Sequence, residues 1–382
     1  MRASGWTILS AILILLIGLP LVRKLPDAGT FPSTLSIFFG GVFFLPLCRR
    51  LLSRISRIGA SEPHHGSSSS VYGLDHGRLN LTLPPPMWMN MGYWHSNHAG
   101  YIPKTLPAAS IALLEEVFKT AGFPLLQEVA HQRMPTRILI DLGFGCGDQT
   151  LYLMDDFPVQ HPDKRPQNQR LYVPHFESYI GITVDSKQFQ FAEQRIKKFR
   201  PSAKVDGKQK VRLLCADAAK PHQWDDGLVK EVCWVAGQAD EPCVLALDTL
   251  YHFSPSRWPI IDYASNCLHA TFMAFDICLA SRVSFPNKIL LRIITSLMGA
   301  PWANFVTAEE YRVKLEKVGY KDITIRDISD YVFEPLACFL EDQDRRLRVI
   351  GFDLGAFHVA KWMFKWWGTT RVVRGVIVVA KK

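Results

Sequence analysis

Two kinds of apolar pattern divide the chain. Residues 6–22 and 31–48 are continuously apolar or small, with no charge inside either run. Neither run has the polar face of a surface helix, and each approaches the ~20 residues that a bilayer span needs. From residue 87 onward the apolar runs are shorter and alternate with helical spacing. Residues 137–140, 179–184, 211–215, 243–247, 272–279, 323–328 and 372–380 read as strands. Between and beyond them, 148–154, 186–199, 260–271, 307–318 and 355–367 read as helices, and 230–239 as a loop or helix. An amphipathic helix is expected at 108–121 and an inserted helix at 283–302. Thr307 with Glu310 forms a capping box, and Gly319 closes that helix. Strands alternating with helices predict an α/β domain.

The apolar runs predict a membrane anchor over residues 1–58. Arg23 and Lys24 lie between the runs, and Arg49, Arg50, Arg54 and Arg57 follow the second. The positive-inside rule places that arginine cluster in the cytosol. A hairpin with both ends cytosolic fits, and a single span or a monotopic insertion is the alternative. No small-residue cleavage site follows the first run, which argues against a signal peptide. Residues 59–86, with four consecutive serines and Pro84-Pro85-Pro86, read as a linker. The sequon at Asn80 would then face the cytosol and stay unmodified. Residues 87–382 form the expected catalytic domain.

Its chemistry centres on residues 137–150, Arg-Ile-Leu-Ile-Asp-Leu-Gly-Phe-Gly-Cys-Gly-Asp-Gln-Thr. A buried strand ends on Asp141. Gly143, Gly145 and Gly147 follow, and then a helix start. Glycines let the backbone take positive φ and approach a ligand closely. A dinucleotide fingerprint would need glycine at 148, where the chain has Asp148. An acid at the strand end suits a ligand carrying an amine. Asp217 and Asp248 also follow strands, and ligands of open α/β sheets bind at the carboxyl ends of strands. His252 lies just past one such end and has the ordinary pKa range of a general base. His95, His98 and Tyr251 are further candidates for that role.

Composition adds two constraints. The formal net charge is +9, and part of the excess sits beside the apolar runs, which favours an anionic membrane surface over nucleic acid. Of eight cysteines none forms a C-x-x-C pair. Cys48, Cys215, Cys243 and Cys278 fall in apolar segments and are expected as buried thiols, with no metal site.

The acid with three spaced glycines resembles the first motif of class I S-adenosylmethionine (SAM) methyltransferases. Gly181-Ile182-Thr183 with Gln188, the Gly92-Tyr93-Trp94 patch, and Pro301-Trp302-x-Asn304 with Val318-Gly319-Tyr320 resemble its sterol, tocopherol and cyclopropane-lipid branch (methyltransferase type 11-like). The resemblance runs from residue 88 to 382. It implies a Rossmann-like seven-stranded sheet flanked by helices, with SAM as cofactor and a substrate cap near 283–306. It also implies that Tyr93 and Trp94 form a lid at the methionine end of SAM, Tyr93 sharing in catalysis. Asp217, with Ala218, would meet adenine. The usual ribose acid is replaced by Thr183, which leaves Thr183 and Gln188 as ribose candidates and Asp185 as an acid or a helix cap.

The expected protein is a membrane-anchored methyltransferase of the endoplasmic reticulum with its catalytic domain in the cytosol. Its acceptor is a lipophilic small molecule such as a sterol, terpenoid or prenylated compound, methylated on oxygen or carbon. His252 is the expected base, and Asp141, Gly143, Gly145, Gly147 and Asp248 are expected to bind cofactor. A nicotinamide oxidoreductase and an inactive SAM-fold scaffold are the alternatives. The sequence leaves the oligomeric state open. Residues 355–367 bring Trp362, Trp366 and Trp367 beside a basic stripe, His358, Lys361 and Lys365. That arrangement suits either a helix in the headgroup region or a core helix with a solvated face. In the first case it would border, with 285–302, a path for an apolar acceptor.

Overall fold

The computed structural model describes residues 85–96, 102–123, 135–154, 176–199 and 210–382. The two apolar runs, the linker up to residue 84, Asn80, His98 and a polar insertion at 155–174 lie outside the described residues. Contacts divide the chain into Met1–Ser67 and Ser68–Lys382, and all described residues belong to the second unit.

Seven strands form one sheet: β1 (Arg137–Leu142), β2 (Ser178–Thr183), β3 (Lys210–Cys215), β4 (Glu241–Leu247), β5 (Thr271–Leu279), β6 (Asp322–Asp327) and β7 (Val373–Lys381). Their order is β3-β2-β1-β4-β5-β7-β6. The first five run parallel, and β7 runs antiparallel between β5 and β6. All six residues of β1 are buried because layers cover both faces of the sheet at its centre. At the edge, β3 has no buried position, and Cys215 is exposed rather than buried. Cys243 and Cys278, on central strands, are buried thiols.

The helices are α1 (Leu106–Thr120), α2 (Asp148–Leu153), α3 (Ser186–Phe199), α4 (Asp226–Ala236), α5 (Trp258–Asn266), α6 (Phe285–Leu297), α7 (Ala308–Val318), α8 (Phe333–Val349) and α9 (Phe357–Thr370). One core cluster joins residues of α1, α6, α8 and α9 to the sheet, and a second joins α4, α5 and α7 to it. The capping box at Thr307 and the left-handed Gly319 bound α7 as expected. Three expectations change. Ten of the fifteen residues of α1 are buried, so it is a core helix rather than an amphipathic one. Helix α5 stops at Asn266, because Thr271 already belongs to β5. Helix α6 stops at Leu297, ahead of the left-handed Gly299.

Helix α8 was not foreseen, and its presence favours the core-helix alternative for residues 355–367. Leu336, Ala337, Leu340 and Asp344 are buried along its inner face. Asp344 lies 3.6 Å from His358 and 3.5 Å from Lys361 of α9, and Glu341 lies 3.3 Å from Lys361. Two of the three basic residues of α9, His358 and Lys361, therefore face acids of α8. Trp367 and Met363 are buried in the core, and Trp362 stacks on Trp366. Among the described residues, no helix is long and apolar enough to cross a membrane.

Candidate functional site

The carboxyl end of β1 runs straight into the glycine turn. Gly143, Gly145 and Gly147 have φ of 81°, 65° and 89°, a region that costs other residues strain. Space is equally short. A Cβ on Gly143 would lie 2.7 Å from Thr249 Oγ1, and one on Gly145 2.6 Å from Met89 Cε. One on Gly147 would lie 3.0 Å from Ala192 Cβ. The loop is thus held between the β4 end, the segment ahead of α1, and α3.

Asp141 lies beneath this turn, fully buried. Its Oδ2 accepts hydrogen bonds from Tyr179 Oη (2.6 Å) and Gln149 Nε2 (2.7 Å). Its Oδ1 is buried with no hydrogen-bond partner. Burial outweighs the two donors and pushes the carboxyl up to about 6. Asp148, at the start of α2, is occupied differently: Arg195 grips it through both guanidinium nitrogens, at 2.6 and 3.1 Å.

The turn opens on a cavity of about 480 Å³, within the usual range for small-ligand sites. Gly143 and Gly145 line it, and so do Thr183, Gln188, Asp217, Ala218, Asp248 and His252. Gly147 and Asp141 support the wall from behind. Thr183 and Gln188 touch each other at 3.4 Å, and Gln188 also reaches Met89. Asp185 accepts from the amides of Lys187 and Gln188, so it caps α3. Asp217 accepts from the Ala219 amide and pairs with Lys220 at 2.9 Å, which turns the chain so that Ala218 meets the cavity.

Tyr93 and Trp94 are not in the cavity wall. Gly92, at φ 76°, turns the chain down onto α1. The Tyr93 amide then bonds Ala109 O, and the Trp94 amide bonds Tyr331 O, both at 2.8 Å. The Trp94 ring packs on Phe339, and the Tyr93 ring packs against Tyr331 and His95. Burial pushes the Tyr93 hydroxyl up to about 12. The wall is built instead by Met87, Trp88, Met89 and Asn90 of the same segment. Asp248 fixes that segment: its Oδ2 accepts the Met91 amide (2.7 Å), while Oδ1 accepts Tyr251 Oη (2.9 Å). Each Asp248 oxygen therefore has one donor from within the protein. Burial pushes this carboxyl up to about 7. Tyr251 is buried and spent on this bond, and His95 stacks on Tyr331 away from the cavity.

His252 lines the cavity, on a single turn at Leu250–His252. Desolvation by its surroundings lowers the imidazole pKa, so the ring is neutral at neutral pH. The turn hangs from Asn304, whose Nδ2 donates to the carbonyls of Leu250, Tyr251 and Phe253. Asn304 is held in turn by Arg257, whose amide reaches its Oδ1 (2.9 Å) and whose guanidinium reaches its carbonyl. Arg257 and Asp276 form an ion pair with no solvent exposure, and Tyr311 Oη donates to Asp276 at 3.0 Å. Sequence reasoning noted Pro-Trp-x-Asn but missed this support. No local pattern signals it, because Arg257, Asp276 and Asn304 lie far apart along the chain. Residues 283–306, expected as a cap, do not line the cavity. Among the described residues, no His, Cys, Asp or Glu cluster could hold a metal ion.

Several solved structures are distantly similar to the chain. The cyclopropane synthase MmaA2 from Mycobacterium tuberculosis is 12% identical, with a TM-score of 0.47 over 75% of this chain and 90% of its own. The [4+2]-cyclase SpnF is 17% identical, with a TM-score of 0.48 over 82% and 94%. Geranyl diphosphate C-methyltransferase from Streptomyces coelicolor A3(2) is 15% identical, with a TM-score of 0.45 over 82% and 99%. No protein-family model matches the chain, and none of the curated proteins does. Likenesses at these values carry no argument, and what the cavity can do is read from its own residues.

Proposed function

We propose that the chain is a SAM-dependent methyltransferase acting on a lipophilic small molecule. The observation that carries this reading is Asp141: a buried carboxylate with one oxygen unpartnered, beneath a left-handed glycine turn that opens on a ligand-sized cavity. An unsatisfied buried acceptor is costly, and the amino group of a methionine moiety would satisfy it. Thr183 and Gln188, both in the cavity lining, would meet ribose hydroxyls, and the Asp217–Ala219 turn would meet adenine. When bound, SAM supplies an electrophilic methyl group on a sulfonium. The protein's part is to exclude water and align the acceptor. Neutral His252, in the cavity lining, would take the proton of a hydroxyl or amine acceptor. Asp248 contributes as the clamp on the 87–91 segment, not as a cofactor ligand.

A lipophilic acceptor is supported by Trp88, Met89, Leu247 and Phe253 in the wall and by the apolar runs of the sequence. Residues 1–58 would anchor the chain, with the catalytic domain on the cytosolic face of the endoplasmic reticulum. The nicotinamide reading is disfavoured by a particular observation. A pyrophosphate would need the start of α2, where Asp148 already stands, paired to Arg195. Calorimetric titration of the full chain with SAM and with NAD tests the choice. Saturable binding of SAM alone, weakened by Asp141→Asn, is expected. Binding of NAD without SAM would overturn the proposal, and binding of SAM with no methyl transfer to any lipid extract would leave the scaffold reading.

A further inference from the structure

Helix α6 leaves an apolar stripe open to solvent. Phe285, Ile289, Ile293 and Leu297, four residues apart, are 77%, 46%, 43% and 70% exposed. Only Leu291 and Thr295 of the helix are buried, and Ile294 packs partly against the core. A stripe of this kind on a single helix needs a covering partner.

The charges around it say which partner. From residue 277 to 308 the sequence contains no acid and three cations, Arg282, Lys288 and Arg292. All three are exposed, and none has an acidic partner among the described residues. Arg292 lies over the Trp302 ring, 5.7 Å from its centroid. A second copy of the chain, docked face to face through this stripe, would bring like charges together. A phospholipid surface offers the reverse: acyl chains for the stripe and phosphate oxygens for the cations flanking it. Helix α9 makes the contrast, because its His358 and Lys361 are already met by acids of α8.

We propose that α6 is a membrane-docking element, its stripe entering the headgroup boundary of an anionic bilayer while Arg282, Lys288 and Arg292 engage lipid phosphates. Its C-terminal side touches the one-turn helix Trp302–Asn304, and Asn304 carries the 250–253 turn at the cavity rim. Docking here sets the His252 side of the cavity near the lipid surface. The inference rests on the helix alone and stands apart from the methyl-transfer reading.

Hydrogen exchange of the full chain tests it without reference to activity. The chain is reconstituted in nanodiscs of phosphatidylcholine alone or with about 30% phosphatidylserine. Peptides covering residues 283–298 are expected to exchange about tenfold more slowly in the anionic discs, the protection shrinking in high salt. Phe285→Glu with Leu297→Glu should abolish that protection. Arg282→Gln with Lys288→Gln, two exposed surface changes, should weaken it if the first pair disturbs folding. Equal exchange in both bilayers would overturn the proposal. So would protection that rises with protein concentration in lipid-free detergent, which would assign the stripe to a second copy.

Discussion

The two sides of the cavity use the same residue type for opposite purposes. On the β1 side, Asp141 keeps one oxygen without a partner under the glycine turn. On the β4 side, Asp248 spends both oxygens on the protein, one on Met91 and one on Tyr251. Asp141 is fully buried and Asp248 half-buried, desolvation raises both carboxyls, and both stand at the end of a parallel strand. Position at a strand end therefore does not separate a ligand-binding acid from a clamp. Two protein donors reach each carboxylate, and what separates the acids is their distribution: both fall on one oxygen of Asp141, and one falls on each oxygen of Asp248.

The largest expected effect lies on the β4 side and tests what the clamp serves. His252→Ala should lower turnover on a hydroxyl or amine acceptor by ~10²-fold or more while leaving SAM affinity nearly unchanged. Steady-state rates beside calorimetric affinities give the split. Wild-type turnover would remove His252 from the chemistry and point to carbon methylation without a histidine base. Next comes the β1 side. Gly145→Val forces a branched side chain to φ 65° with Met89 Cε in its way. SAM affinity should fall more than tenfold, ~1.4 kcal/mol, and an unchanged affinity in a folded variant would take the turn out of the site.

A third prediction sets the two acids directly against each other. Asp248→Ala loses both hydrogen bonds and places alanine at φ 64°. Residues 87–91 should exchange faster, and SAM affinity should drop by roughly fivefold, through the loosened wall. Asp248→Asn should stay near wild type, because Asn accepts the left-handed conformation and keeps one acceptor for Met91. Asp141→Asn should bind SAM poorly with residues 87–91 unaltered. Equal behaviour of the two Asn variants would erase the distinction.

How much of this was legible follows from what each residue type must do. The strands were readable because burial on both faces leaves continuous apolar runs, as in β1, β4 and β5. The glycine turn was readable because no other residue fits its conformation. Helix α8 was not, because its charged outer face dilutes the period, and its buried Asp344 looks like surface until α9 is beside it. The resemblance makes Tyr93 and Trp94 a lid over SAM. The turn at Gly92 sends them to the core and leaves the wall to Trp88 and Met89. Asn304 and Arg257 act through backbone carbonyls and each other, contacts that no local pattern encodes.

The smallest expected effect is the dependence of SAM affinity on pH, and it follows from Asp141. Its folded pKa, about 6, lies above the ordinary 3.8. The fold therefore prefers the proton: this group's contribution to stability is fully present below its unfolded value and is lost as pH rises through about 6. A ligand ammonium has the reverse preference, since it needs the ionised carboxylate. Binding should then expel the proton, and at pH about 6 SAM affinity should be about half its value at neutral pH. The same linkage predicts proton release on binding, read as a calorimetric enthalpy that changes with the ionisation enthalpy of the buffer. Asp248, near 7, titrates close by, so the decisive comparison is again between variants. Asp141→Asn should abolish the proton release, and Asp248→Asn should preserve it. Release that survives in Asp141→Asn and vanishes in Asp248→Asn would mean that the β4 acid, not the β1 acid, answers the ligand's charge.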